Sequence, residues 1–260
     1  MSVRFTILGS GSGGNCAYLE AGETRLLIDA GFSARQIRLR LAAIGRAPEG
    51  LSGVLITHEH GDHVQGLGVL CGKLGIPVYA NRMTRDAIGR VCPARLDFRV
   101  FETGSSFGVG EVEVQSFSVP HDAMDPVGFV LGTKAGNLGF LTDLGHVTKL
   151  VMERVRTSRV LVLEANHDMR LLQDDLKRPW STKQRILSRH GHLSNDAAAE
   201  VAAELAPAGV GTIYLGHLSR DCNRPELARA TVEKRLAAMG ATQVRIENTS
   251  QEAPCATLEM

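Results

Sequence analysis

The hexapeptide His58-Glu59-His60-Gly61-Asp62-His63 sets three imidazoles and a carboxylate close together, and it holds three of the chain's nine histidines. It follows directly on Val54-Leu55-Ile56-Thr57, an apolar, β-branched run of the kind that forms a buried strand. Side chains alternate in direction along a strand, so a tight turn at its end can aim His58 and His60 at one point and Asp62 and His63 at another. Neutral imidazole and carboxylate are ligands suited to Zn(II), Mn(II) or Fe(II). The plainer reading is a solvated histidine cluster, and the concentration of a third of all histidines in six residues weighs against it. His121, Asp143 and His217 extend the pattern. Each stands where another apolar run stops, in Val119-Pro120-His121, Leu141-Thr142-Asp143 and Leu215-Gly216-His217. Loops at strand ends are where rigid scaffolds carry chemistry.

The elements that must position these residues follow from the hydrophobic pattern. Strands are expected over Arg4–Leu8, Cys16–Glu20, Thr24–Asp29, Val54–Thr57, Pro77–Ala80, Phe98–Phe101, Glu111–Ser118, Val127–Gly132, Leu138–Thr142, Val160–Glu164, Thr212–Leu215 and Gln243–Ile246. Helices are expected over Ala34–Ile44 with Ser33 as N-cap, Val64–Leu74, Val147–Val155, Thr182–Arg189, Asn195–Leu205 and Arg224–Met239. Early strand meanders followed by helix–strand alternation predict two sheets with helices outside them. Gly9-Ser10-Gly11-Ser12-Gly13-Gly14 fits the outline of a dinucleotide fingerprint, with Asp29 ending a later strand. That mechanism needs a helix opening at the last glycine to hold pyrophosphate. The stretch after it reads as extended, so the nucleotide reading is rejected, and Asn15 is expected to face the metal pocket.

A chain of 260 residues with 43% hydrophobic content can bury one substantial core, and no linker-like tract divides it, so residues 1–260 are expected to form a single domain. No signal-peptide pattern opens the chain, and no apolar stretch reaches the roughly 20 residues of a membrane helix. The five cysteines are scattered without C-x-x-C spacing, which predicts reduced thiols and a cytoplasmic protein. With a formal charge of +1, binding to a polyanion would rest on local patches.

Taken together, these residues resemble the metallo-β-lactamase superfamily of binuclear hydrolases, over essentially the whole chain. The resemblance implies a four-layered αββα sandwich of the α/β (α+β) class and two divalent metal ions, Mn or Zn. It implies that His58, His60 and His121 hold one ion, that Asp62, His63 and His217 hold the other, and that Asp143 bridges them. Such a pair lowers the pKa of a shared water and clamps attacking and leaving oxygens, whatever the ester. Glu164-Ala165-Asn166-His167 and Gly191-His192-Leu193-Ser194-Asn195 resemble paired motifs of the phosphodiesterase branch. There they imply that His192 assists the leaving oxygen and that Glu164 orients it, while Asp62 both binds metal and orients the nucleophile. A carboxylate bonded to an imidazole raises its pKa and fixes its tautomer, as a general acid requires. The plainer reading makes Glu164 a strand-end charge and Ser194 or Asn195 a helix cap.

Departures from the pattern narrow the branch. No arm for tRNA is visible, a large inserted second domain has no room between Asp143 and His217, and no C-terminal helical domain follows. Gly9–Asn15, Leu163–Asp168, Gly191–Asn195 and Leu215–Ser219 together resemble the compact bacterial YycJ/WalJ-like branch. That resemblance implies a 5′→3′ exonuclease on double-stranded DNA, acting at duplex ends in repair and beside repair-protein partners. Lys177, Arg178, Lys183, Arg185 and Arg189, with no acidic neighbour from Leu176 to Asn195 and with Trp180 among them, are expected to track phosphates and stack on an end base. Arg220 and Asn223 are further expected substrate contacts, as is Asn15. A solvated helix face and a packed tryptophan are the bland counterparts. The alternatives are a small-molecule (cyclic) phosphodiesterase, an RNA-processing nuclease and, from another class, a non-catalytic metal-stabilised binding protein.

Overall fold

The computed structural model describes residues 2–260, with strands falling in two sheets and helices flanking them, the mixed α/β class expected. The chain forms two interleaved units, Met1–Ser118 with Ala123–Gly136 and Ser250–Met260, and Val119–Asp122 with Asn137–Thr249.

In the first unit, β1 (Val3–Gly9), β2 (Cys16–Ala21) and β3 (Thr24–Ile28) make an antiparallel meander, and the C-terminal strand β14 (Leu258–Glu259) pairs with β1. From β3 the sheet turns parallel through β4 (Gly53–Leu55), β5 (Val78–Asn81) and β6 (Phe98–Phe101). This change in direction matters for function. Parallel strands bring their carboxyl ends to one edge, and ligands bind at that edge in open α/β sheets. Asp29 follows β3 and the histidine hexapeptide follows β4, so both arrive there. Helix α1 (Ala34–Ala43) buries Ala34, Ile37 and Leu41, one face at helical spacing, and Ser33 caps it by accepting from the Gln36 N–H. Ile37 and Leu41 are wholly buried, each worth roughly 1.5–3 kcal/mol of transfer energy. Strands β7 (Ser106–Val109), β8 (Val112–Ser118) and β9 (Val127–Thr133) form a second antiparallel meander.

The second unit carries β10 (Gly136–Leu141), β11 (Ser158–Glu164), β12 (Thr212–Gly216) and β13 (Arg245–Asn248), all parallel. Their near-continuous apolar runs, such as Val160-Leu161-Val162-Leu163, are the signature of strands covered on both faces. Asp143, Glu164 and His217 lie at the carboxyl ends of β10, β11 and β12.

Several expectations need correction. The helix expected over Val64–Leu74 is two helices, α2 (Gly61–Val64) and α3 (Leu67–Leu74), broken at Gly66. The Gly66 N–H is taken by the Ala30 carbonyl, and a side chain there would collide with the Phe32 carbonyl. Helix α4 (Arg82–Val91), capped by Asn81, was not foreseen. Helix α5 covers Lys149–Val155, capped by Thr148, and α6 (Met169–Asp174) is an extra turn capped by Asp168. Helix α7 is Trp180–Ile186, shifted toward the N-terminus because Pro179 opens it. Helices α8 (Asn195–Leu205) and α9 (Pro225–Ala238) fall close to expectation. The glycine loop enters a strand, with no helix for pyrophosphate. Among the described residues, no helix is long and apolar enough to cross a membrane.

Candidate metal centre

In the first unit, the hexapeptide stands on a buried polar foundation built around Asp29. This carboxylate is fully buried and accepts from the Thr57 N–H at 2.9 Å, the Thr57 hydroxyl at 2.9 Å and His63 Nδ1 at 2.8 Å. Burial pushes the Asp29 pKa up, opposed by His63 and the Thr57 donors. The bond at Nδ1 favours the tautomer in which His63 Nε2 carries the lone pair, as a metal ligand requires. The Asn15 amide reaches that Nε2 at 3.1 Å and Asp62 Oδ2 at 3.4 Å. His58 Nδ1 contacts the Thr57 hydroxyl at 3.0 Å, which leaves Nε2 directed at His60 Nδ1, 3.0 Å away. His63 Nε2 lies 3.6 Å from Asp62 Oδ2. Two atoms bound to one tetrahedral ion at ~2.0–2.1 Å would be ~3.3 Å apart. The pairs His58/His60 and Asp62/His63 bracket that edge length.

Backbone strain marks the same places. Among the described residues, the non-glycine residues with positive φ are Asp29 (59°), Asp143 (58°) and His217 (54°). Left-handed backbone disfavours side chains with a Cβ, and it persists where surroundings over-determine it, commonly at functional sites. His217 is held there by Asn166, whose amide donates to the His217 carbonyl at 2.8 Å.

In the second unit the organising group is Glu164, fully buried. Its Oε2 accepts the N–H groups of Leu144 at 3.0 Å and Leu193 at 3.1 Å, and its Oε1 accepts His192 Nδ1 at 2.7 Å and His217 Nδ1 at 2.8 Å. Burial alone would raise its pKa, but the two imidazoles hold it down at about 2. Burial of His192 opposes its protonation, yet the charge and hydrogen bond of Glu164 prevail and its pKa rises. Asp143 Oδ1 is 3.4 Å from His217 Nδ1 and 3.8 Å from both His192 Nδ1 and His121 Nε2. His121 Nδ1 is bonded to the Gly191 carbonyl at 3.1 Å, and burial lowers its pKa, which keeps it neutral and fit to coordinate. Asp143, Glu164, His192 and His217 bring ligand atoms within 4.8 Å of one another.

The expected ligands thus stand at strand ends or on the short helix α2 that follows β4: His58, His60, Asp62 and His63 in one unit, His121, Asp143 and His217 in the other. This donor set of buried imidazoles and carboxylates, with outward nitrogens fixed by acceptors behind them, fits divalent metal ions. Asp29, Thr57 and Asn166, which brace the expected ligands His63, His58 and His217 by hydrogen bonds, were not among the residues expected from the sequence. Asp29 carried a legible signal in ending an apolar strand with a charge, but its partner lies 34 positions away.

The expected substrate contacts fare differently. Asn15 is buried and serves Asp62 and His63. Lys183 is buried with its amine on the Gln173 carbonyl at 2.7 Å, and Asn223 is locked in a reciprocal amide pair with Asn195. Arg185 pairs with Asp122, Arg178 with Asp175 and Asp221, and Arg189 with His146. Two of the five basic residues of the segment, Arg178 and Arg185, are thus paired with acids outside it, which its local composition hid. Arg220 and Trp180 are exposed.

Residues 24–217 match the family model described as the beta-lactamase superfamily domain. The chain is 40% identical over 243 residues to exodeoxyribonuclease WalJ of Streptococcus pneumoniae, covering 91% of this chain and 89% of that protein. It is 38% identical over 244 residues to exodeoxyribonuclease YycJ of Bacillus anthracis, covering 92% and 91%. The metallo-β-lactamase fold protein YhfI of Bacillus subtilis superposes with a TM-score of 0.75 at 15% identity, covering 100% of this chain and 99% of that one, a likeness of fold. The chain belongs to the metallo-β-lactamase superfamily, in its YycJ/WalJ-like branch.

Proposed function

We propose that this chain is a binuclear metal-dependent nuclease that removes nucleotides from the 5′ ends of duplex DNA. His58, His60 and His121 would hold one ion, Asp62, His63 and His217 the other, with Asp143 between; Mn(II) and Zn(II) both suit these donors. Bound there, the ions would supply Lewis-acid stabilisation of the phosphate and an acidified water. The protein's own groups do the rest. Asp62, steadied by Asn15, orients the attacking water. His192, kept protonated by Glu164, gives its proton to the departing oxygen, and the shared Glu164 oxygen keeps His217 in register with it.

The observation that carries this reading is the buried Glu164 carboxylate clasping His192 and His217 through one oxygen, in a chain about 40% identical to exodeoxyribonucleases along nearly its full length. Phosphodiester cleavage expels an alkoxide, which needs such an acid. The five cysteines are free of disulfides, in keeping with a reducing cytoplasm where DNA ends and repair-protein partners would be met. A second reading is supported by the ion pairs of Arg178 and Arg185 with acids of this chain, which leave less basic surface than a long duplex track would use. It is a small-molecule phosphodiesterase. Purified protein with Mn(II) should shorten 5′-labelled linear duplex stepwise, and Asp62→Ala/His63→Ala protein should not. Cleavage of bis(p-nitrophenyl) phosphate without any loss of DNA would favour the second reading.

A further inference from the structure

Beside the Asp62 turn, within the first unit, lies an open cavity of about 680 Å³ that the metal ligands do not fill. Its wall begins with Gly61 and Asp62 and runs over Gln65 and Val69 of the following helices to Val91 and Pro93 at the end of α4. Three features decide what it can hold. First, Asp62 is the sole charged group lining it, so it repels phosphate rather than binding it. Second, Val69 is 55% exposed and Val91 76% exposed, apolar surface left in water at the mouth of a concave site. Third, Asp62 is an assigned metal ligand, 23% exposed, so the cavity is continuous with the place where the reacting phosphate would sit. Its volume lies within the roughly 300–1,000 Å³ of small-molecule sites. A flat, neutral heterocycle carried one sugar away from the scissile phosphate meets all three conditions. Ser12 and Gln65 place a hydroxyl and an amide on the wall, able to pair with a base edge.

We propose that this cavity is a nucleoside subsite: it takes the base and sugar of one nucleotide flanking the scissile phosphate. The assignment rests on the nuclease reading above and adds where the substrate's apolar part is gripped. Val69 and Val91 are exposed, outside the metal centre, and replaceable without threat to the fold. In Val69→Asp and Val91→Asp protein, KM for linear duplex DNA should rise about tenfold, as expected for losing apolar burial of a base. Hydrolysis of bis(p-nitrophenyl) phosphate, which has no nucleoside, should be unchanged. As a second measurement on unaltered protein, an abasic residue placed at each position flanking the first scissile bond should raise KM similarly at one of them. Val69→Asp protein should show no further loss with that abasic substrate. Equal KM for normal and abasic duplex at both positions, or unaltered duplex KM in both variants, would overturn the subsite while leaving the nuclease reading intact. Absence of DNA cleavage by unaltered protein, with the small phosphodiester still hydrolysed, would remove both the nuclease reading and the subsite.

Discussion

Glu164→Gln is the perturbation that asks most of the structure. The carboxylate receives two backbone N–H groups on Oε2 and two imidazole N–H groups on Oε1, with no exposure to solvent. A glutamine has one oxygen and one amide nitrogen, so in either orientation its NH₂ faces a pair of donors and two of the four bonds are lost. Bonds to a charged group are worth about 1.5–3 kcal/mol each, so the variant should lose about 3 kcal/mol or more in urea titrations. The sign with pH follows from the lowered pKa. Stability from the ionised carboxylate is present above its ordinary value of 4.5 and lost as pH falls toward about 2, so variant and parent should converge in acid. For activity, His192 loses the group that raises its pKa, so less of it is protonated at neutral pH. In the parent, kcat should fall as pH rises through the raised value. In the variant that alkaline limb should move to lower pH, and neutral kcat should drop about 100-fold with KM little changed. The assay is bis(p-nitrophenyl) phosphate hydrolysis against pH at saturating Mn(II). A variant that keeps both kcat and the position of its alkaline limb would refute the acid role of His192.

Other consequences are simpler. Asp29→Asn should weaken metal binding about 10–100-fold by loosening the His63 tautomer and the Thr57 bonds, read by competition with a chelator. Gly31→Ala would drive a Cβ into the Asp62 carbonyl, so a loss of about 1–3 kcal/mol in thermal or urea unfolding is expected, together with lowered metal content. Lys183→Met should cost stability of about 1 kcal/mol, measured in urea, and leave the salt dependence of DNA binding unaltered, because its amine serves Gln173.

What could be read in advance depended on whether the signal was local. His58, His121, Asp143 and His217 each stand just after an apolar run, His58, Asp143 and His217 after parallel strands and His121 after the antiparallel β8, so each was visible from its own local signal. Asn15 was expected to face the metal pocket, and it contacts Asp62 and His63 there, whereas Asp29 was not assigned its role, because it acts on the hexapeptide across a long loop closure and nothing near it in the chain names the partner. The basic run at Lys177–Arg189 misled for the same reason. Asp122, Asp175 and Asp221, which hold Arg185 and Arg178, lie outside it. Helix α4 escaped because Gly89 and the three arginines Arg82, Arg85 and Arg90 dilute its apolar stripe, although Asn81 is an orthodox cap. The left-handed backbone of Asp29, Asp143 and His217 left only a weak trace in residue type, since Asp and His tolerate that region better than most residues but also occur elsewhere.

The central claim is that the seven residues proposed as ligands hold two divalent metal ions. Anomalous diffraction from crystals grown with Mn(II), recorded on either side of the manganese edge, addresses it directly. The account predicts two peaks per chain, one contacted by His58, His60 and His121, the other by Asp62, His63 and His217, with Asp143 touching both. A single peak, or manganese bound by other side chains with these seven turned elsewhere, would contradict it.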